Sequence, residues 1–164
     1  MYRLSQYVAW DMISGRREPE LGGAPEYLDI LGANYYVYNQ WILEGKVVVP
    51  SSPLHLPPRF MLREVAERYR RPLFIAETGT EAEVRPEWLA YVSREVRAAR
   101  TLGVSVEGIC LYPIVDFPGW NDGRLCQNGF WGDPDAAGQR SPHAPLAAEL
   151  ARQRRRFEPP RPRA

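Results

Sequence analysis

The chemistry of this chain starts from a carboxylate at the end of an apolar run. In Pro72-Leu73-Phe74-Ile75-Ala76-Glu77-Thr78-Gly79 the hydrophobic stretch stops on Glu77 and a glycine turn follows. In a parallel α/β protein this places the carboxylate at the carboxyl end of a buried strand, where the connecting loops form an open mouth and catalytic groups collect. The plain alternative is a surface glutamate that happens to follow a strand. Two other runs end on polar groups at the same kind of position, one at Asn34-Tyr35-Tyr36 and one at Asp116. Asp116 is the in-chain candidate for a second carboxylate; the competing reading is a loop-organising aspartate that accepts backbone N–H groups. Glu81 and Glu83 read as solvated, and Glu107 precedes its strand, which belongs to the opposite, stabilising end.

The remaining reactive side chains point away from metal or redox chemistry. Cys110 and Cys126 have neither metal-ligand spacing nor the density of a disulfide framework. Cys110 lies in an apolar run and reads as a small core residue. His55 has no spacing partner for a metal site, and His143, just before a helix, reads as a surface residue. No metal and no cofactor is expected, and no glycine-rich phosphate loop follows a strand.

The elements that must position these groups are legible as alternating runs. Residues 4–14 read as a helix, with Leu4, Val8 and Met12 recurring every four residues. Residues 27–36 read as a strand and residues 37–58 as a long loop, a length that usually carries function or disorder. Pro57-Pro58 opens a helix with the stripe Leu62, Val65, Ala66 and Tyr69. Residues 72–76 form the next strand. Pro86 opens another helix, with Leu89, Val92, Val96 and Ala99 on one face and Gly103 as its stop. Residues 108–115 read as a third strand, 116–142 as a Gly/Trp/Asp-rich loop, and 146–157 as a last helix. Strand–helix repeated three times argues for a parallel sheet covered by helices, with Asn34-Tyr35-Tyr36, Glu77 and Asp116 gathered at one end.

Composition bounds the class. The chain has 164 residues, 45% hydrophobic and 25% charged, which suits one domain with a sizeable core. We assign residues 1–157 to that domain and 158–164 to a Pro/Arg-rich disordered tail. A net charge of +1 gives no global pull toward nucleic acid or an acidic membrane. The tail arginines, Arg152 to Arg163, lack the aromatic interleaving of a nucleic-acid surface. No apolar stretch approaches the roughly 18 residues of a membrane span. The N-terminal residues lack a signal-peptide core, so a reducing cytoplasm is the expected location.

The three strand ends resemble the carboxyl-terminal part of the family 1 glycoside hydrolases, the β-glucosidase-like retaining enzymes. Leu31-Gly32-Ala33-Asn34-Tyr35-Tyr36 is similar to that family's sixth strand, Ile75-Ala76-Glu77-Thr78-Gly79 to its seventh, and Leu111 to Asp116 with Gly119-Trp120 to its eighth. The resemblance implies a partial TIM-type (β/α) barrel of about three strand–helix units, strands 6–8, with β-glycosides as substrates. By it, Glu77 is the nucleophile and Tyr36 orients it. Asn34 and Trp120 match groups that line the sugar pocket, and Asp116 is placed beside them. Trp41 and Trp131, read from their loops at the mouth, are either further sugar-stacking rings or packing residues under the loops. Trp10 and Trp88, on helices, read as packing residues.

The chain departs from the pattern at several positions. Thr78 stands where the family has Asn, Tyr112-Pro113 where it has Trp-Ser, and Gly119 where it has a sugar-binding Glu. The family's acid/base glutamate lies in an Asn-Glu-Pro segment that is absent here, and a full barrel takes about 250 residues. Retaining hydrolysis uses two carboxyl groups about 5–5.5 Å apart, and only Glu77 is assigned. Two readings follow: a glycosidase polypeptide completed by an N-terminal half-barrel chain, or a non-catalytic remnant that binds sugar or a partner. Without such a partner the inner face of a barrel piece is uncovered, favouring self-association. The alternating side chains of Leu73–Ile75 and Ile109–Ile114 are the expected inner-face residues.

Overall fold

The computed structural model describes residues 2–158. Residues 159–164, most of the expected tail, lie outside them. The chain opens with two short helices, α1 (Tyr2–Ser5) and α2 (Val8–Ile13), where one helix was expected. The break falls at Tyr7, which is buried and packs edge-on against Tyr69. Asp11 of α2 is also buried; its Oδ1 accepts from the Tyr69 hydroxyl at 2.8 Å and from Arg68 Nε at 3.0 Å. These long-range anchors set the helix directions, overriding the four-residue repeat. The chain then folds back against the end of α2, where Ala24 N–H donates to the Ile13 carbonyl. Only glycine fits at position 23, because a Cβ there would lie 1.9 Å from the Met12 carbonyl oxygen.

Strand β1 covers Leu31–Asn34, shorter than expected, because Pro25–Tyr27 forms a 3₁₀ turn opened by its proline. The long loop after it holds a small antiparallel hairpin, β2 (Trp41–Ile42) and β3 (Lys46–Val47). Helix α3 (Pro58–Tyr69) buries Leu62, Val65 and Tyr69. Strand β4 (Leu73–Thr78) follows, then α4 (Arg85–Thr101), which buries Trp88, Leu89, Val92, Val96 and Ala99. Strand β5 (Val106–Leu111) ends at Tyr112-Pro113, since proline has no N–H to extend a ladder. Two further hairpins occupy the stretch expected to be a loop: β6 (Phe117–Pro118) with β7 (Leu125–Cys126), and β8 (Trp131–Pro134) with β9 (Arg140–Pro142). Helix α5 (Ala144–Phe157) closes the described chain. His143 is its N-cap, accepting the Leu146 N–H, and its side chain is largely covered; it is not the surface residue expected.

The main sheet has the order β1-β4-β5, parallel throughout. Leu31 pairs with Leu73 and Ala33 with Ile75, and then a register shift sets Asn34 opposite Glu77. Leu31, Leu73, Ile75 and Val106 form one core with Leu62, Val65, Trp88, Val92 and Val96. The helices therefore cover a single face. Leu73 and Ile75, expected on the inner face, turn to the helices and are buried, while Phe74 and Ala76 turn the other way and stay partly exposed. Cys110 is exposed, not a core residue. No helix among the described residues is long and apolar enough to cross a membrane.

Candidate functional site

The carboxyl ends of the three strands meet around Glu77. The register shift on β1 brings the Tyr35 N–H to the Glu77 carbonyl at 2.9 Å. The next side chain, Tyr36, reaches back across the strands and its hydroxyl donates to Glu77 Oε2 at 2.9 Å. Burial, reinforced by this carboxylate, pushes the Tyr36 phenol well above the ordinary tyrosine range, so it stays protonated as a donor. Glu77 is half-buried, open enough to be reached and covered enough to be aimed. Gly79 lets the chain leave the site, because a Cβ there would lie 2.1 Å from the Tyr112 carbonyl oxygen.

Thr78 is fully buried behind Glu77. Its hydroxyl donates to the Tyr35 carbonyl at 2.7 Å and accepts the Trp88 indole N–H at 2.9 Å. Its own carbonyl accepts the Tyr112 N–H at 2.9 Å. The Tyr35 ring lies stacked on Trp88 at 5.7 Å. The Tyr35 hydroxyl accepts from Gln40 Nε2 at 3.1 Å and lies 3.4 Å from His55 Nε2, which is 3.3 Å from the Tyr91 hydroxyl. Gln40 also bonds both backbone groups of Leu56, so the long loop is fastened to β1 and α4. Burial holds His55 below its ordinary value, against the pull of Glu95. Sequence places Tyr35 at the gathered strand ends, but the roles of Thr78, Gln40, His55 and Trp88 and the contacts of Tyr35 are not evident from it, since their partners are backbone carbonyls and side chains distant in the chain.

The other site candidates fall in different places. Asn34 is exposed opposite Glu77 and, with Gln40 and Trp41, lines a broad groove that runs past Tyr7 and Leu62. Trp41 lies on the first hairpin, about half exposed. Trp120, at the turn between β6 and β7, is 90% exposed. Trp131 lies on β8 and meets Phe130 edge-on. Asp116 is buried; its Oδ1 accepts the Gly129 N–H at 2.6 Å and lies 3.9 Å from Arg85 Nη1. Arg85 in turn donates to the carbonyls of Ala82 and Gly129. This is the loop-organising arrangement. Glu81 is gripped by both terminal nitrogens of Arg124, whose hydrogen bonds hold its carboxyl below the usual range. Among the described residues no cluster of three or more His, Cys, Asp or Glu could hold a metal ion. The site offers one half-open carboxylate backed by a phenol donor, suited to attack on an electrophilic carbon.

No protein-family model and no curated protein matches this sequence. Solved structures do match its fold. The β-glucosidase of Pyrococcus furiosus superposes with a TM-score of 0.69 at 18% identity, over 96% of this chain and 37% of that one. The β-glycosidase of the hyperthermophile Thermosphaera aggregans matches with a TM-score of 0.61 at 21% identity, over 82% of this chain and 34% of that one. The family 1 β-glucosidase of Thermotoga maritima gives 0.55 at 18%, over 75% and 34%. The chain thus has the fold of part of these enzymes and spans little more than a third of their length.

Proposed function

We propose that this chain is the carboxyl-terminal part, strands 6–8, of a retaining β-glycosidase-type barrel, and that Glu77 is its nucleophile. The observation that carries this reading is the Tyr36–Glu77 hydrogen bond at the joined ends of two parallel strands, within a fold shared with β-glucosidases. In the proposed step a Glu77 carboxylate oxygen forms a bond to the anomeric carbon of a β-glycoside. The glycosidic C–O bond breaks, and its electron pair leaves with the aglycone oxygen. Tyr36 holds the attacking carboxylate in line. Asn34, Trp41 and Trp120 are the groups proposed to meet the sugar, by hydrogen bonding and ring stacking.

The proton for an ordinary leaving group must come from a second carboxyl. Asp116 and Glu81 are both engaged elsewhere, so we assign this role to the remainder of a barrel, supplied by an N-terminal half-barrel. Residues 1–157 form the unit that would dock with it. The engagement of both carboxylates also favours a second reading, in which the chain is a non-catalytic subunit that binds a sugar or a partner.

The test is an activated aryl β-glycoside carrying fluorine beside the anomeric carbon, whose leaving group departs without a proton and whose glycosyl adduct turns over slowly. Mass spectrometry of the purified chain is expected to find the adduct on the peptide containing Glu77, and none in Glu77→Gln. An unlabelled wild-type chain that is folded and saturated with reagent would favour the non-catalytic subunit.

A further inference from the structure

We propose that Thr78 is a positioning residue for the Tyr36–Glu77 pair, acting through the Tyr35 carbonyl that its buried hydroxyl holds. The inference rests on the reading of Glu77 and Tyr36 given above for its consequence in catalysis, but not for its geometry.

Whether Tyr36 can reach Glu77 depends on the peptide plane between Tyr35 and Tyr36. That plane lies beyond the last residue of β1, so no ladder fixes it. It is pinned from both sides by side chains. Its carbonyl accepts from Thr78 Oγ1 at 2.7 Å, and its N–H donates to Asn39 Oδ1. Thr78 is the stronger pin, because it is fully buried and its own orientation is determined. The Trp88 indole N–H donates to Thr78 Oγ1 at 2.9 Å, which leaves the hydroxyl proton a single direction, toward Tyr35. The Thr78 carbonyl meanwhile accepts from Tyr112, tying the same residue to the end of β5. One residue thus joins three strand ends and the helix α4 behind them, with the Tyr35 ring stacked on Trp88 as a spacer.

Valine has the shape of threonine and no hydroxyl. In Thr78→Val both the Tyr35 carbonyl and the Trp88 N–H lose their partner within the core, and the carbonyl has every reason to turn toward water. Rotation of that peptide swings Tyr36 away from Glu77. Serine keeps the hydroxyl and loses only a methyl group.

The hydrogen bond can be read without any substrate. With the chain's nine tyrosines labelled with ¹³C at the ζ carbon, and the Tyr36 signal assigned by its absence in Tyr36→Phe, the Tyr36 resonance is expected to step when the carboxylate it donates to is replaced by an amide in Glu77→Gln. That step on adding Glu77→Gln should be lost in the Thr78→Val background and kept in the Thr78→Ser background. A folded Thr78→Val chain that keeps the full step overturns the proposal and leaves Thr78 a packing residue. If Thr78→Val does not fold, Thr78→Ser decides: a folded serine variant without the step overturns the proposal equally, and one that keeps it supports the hydroxyl over the methyl. Loss of the step in Thr78→Val alongside a wild-type chain that takes no glycosyl label would leave the positioning role standing and remove only the hydrolase reading.

Discussion

Leu73 and Glu77 lie four residues apart on one strand and belong to different halves of the molecule. Leu73 faces the helices and is wholly buried among aliphatic side chains. Glu77 sits at the carboxyl end, half-open, with a phenol and a neighbouring strand as its surroundings. The helix side is held by shape and apolar area, which are tolerant of direction. The mouth is held by single directed bonds: Tyr36 to Glu77, Thr78 to Tyr35, Asp116 to Gly129. Apolar packing and directed bonding are therefore separable here, even though residues of one strand, β4, serve each.

The widest separation is expected for Glu77→Gln. Labelling by the activated glycoside should vanish, while the unfolding midpoint in urea stays near that of the parent. A large loss of stability would mean that Glu77 belongs to the core and break the contrast. Leu73→Ala should do the opposite. Removing a fully buried leucine costs about 2–5 kcal/mol, read from urea denaturation, and any chain that remains folded should keep the Tyr36 resonance step.

A smaller effect is expected at the edge of the helix side. Burial disfavours the charge on Asp11, but donation from Arg68 and Tyr69 outweighs it and lowers its folded pKa. A depressed folded pKa adds stability that is present above the unfolded value, near 4, and is lost as pH falls through the folded value. Asp11→Asn should cost about 1–3 kcal/mol near neutral pH. It should also flatten the acid limb of a stability-against-pH curve below about pH 4. An unchanged acid limb would assign that limb to other carboxylates. Smallest is Trp120→Ala. With 90% of the side chain exposed, the change in stability should stay within about 0.5 kcal/mol, and only labelling efficiency should fall. A marked destabilisation would show that this rim carries packing.

How much of this was legible in sequence follows the same division. The stripes Leu62-Val65-Tyr69 and Leu89-Val92-Val96-Ala99 declare their helices because a buried face repeats at the helical period. The three strands declare themselves as apolar runs, although β1 is cut short by the Pro25 turn. The hairpins inside the two loops were not legible: arms of two to four residues show no period. Nor was the Asp11 cluster, whose partners lie nearly sixty residues away. At the site, Glu77 and Tyr36 stood out by residue type at strand ends. Thr78 read as a departure from a pattern, because its contacts with a backbone carbonyl and a distant indole leave no mark in composition or spacing.

The arm that carries Trp120 stands on a fixed footing. Arg85, Asp116 and the Gly129 backbone clamp its base to the start of α4, and a Cβ at Gly129 would lie 2.3 Å from the Val115 carbonyl carbon. Change at the footing is therefore costly to the whole molecule, while change at the tip is nearly free. A lineage carrying this chain could change the exposed tip at Trp120 and Asn121 by drift, while Gly119, Gly123 and Arg124 keep the turn and its tie to Glu81. Grafting experiments should succeed when they cut at the tip and fail when they cut at 116 or 129.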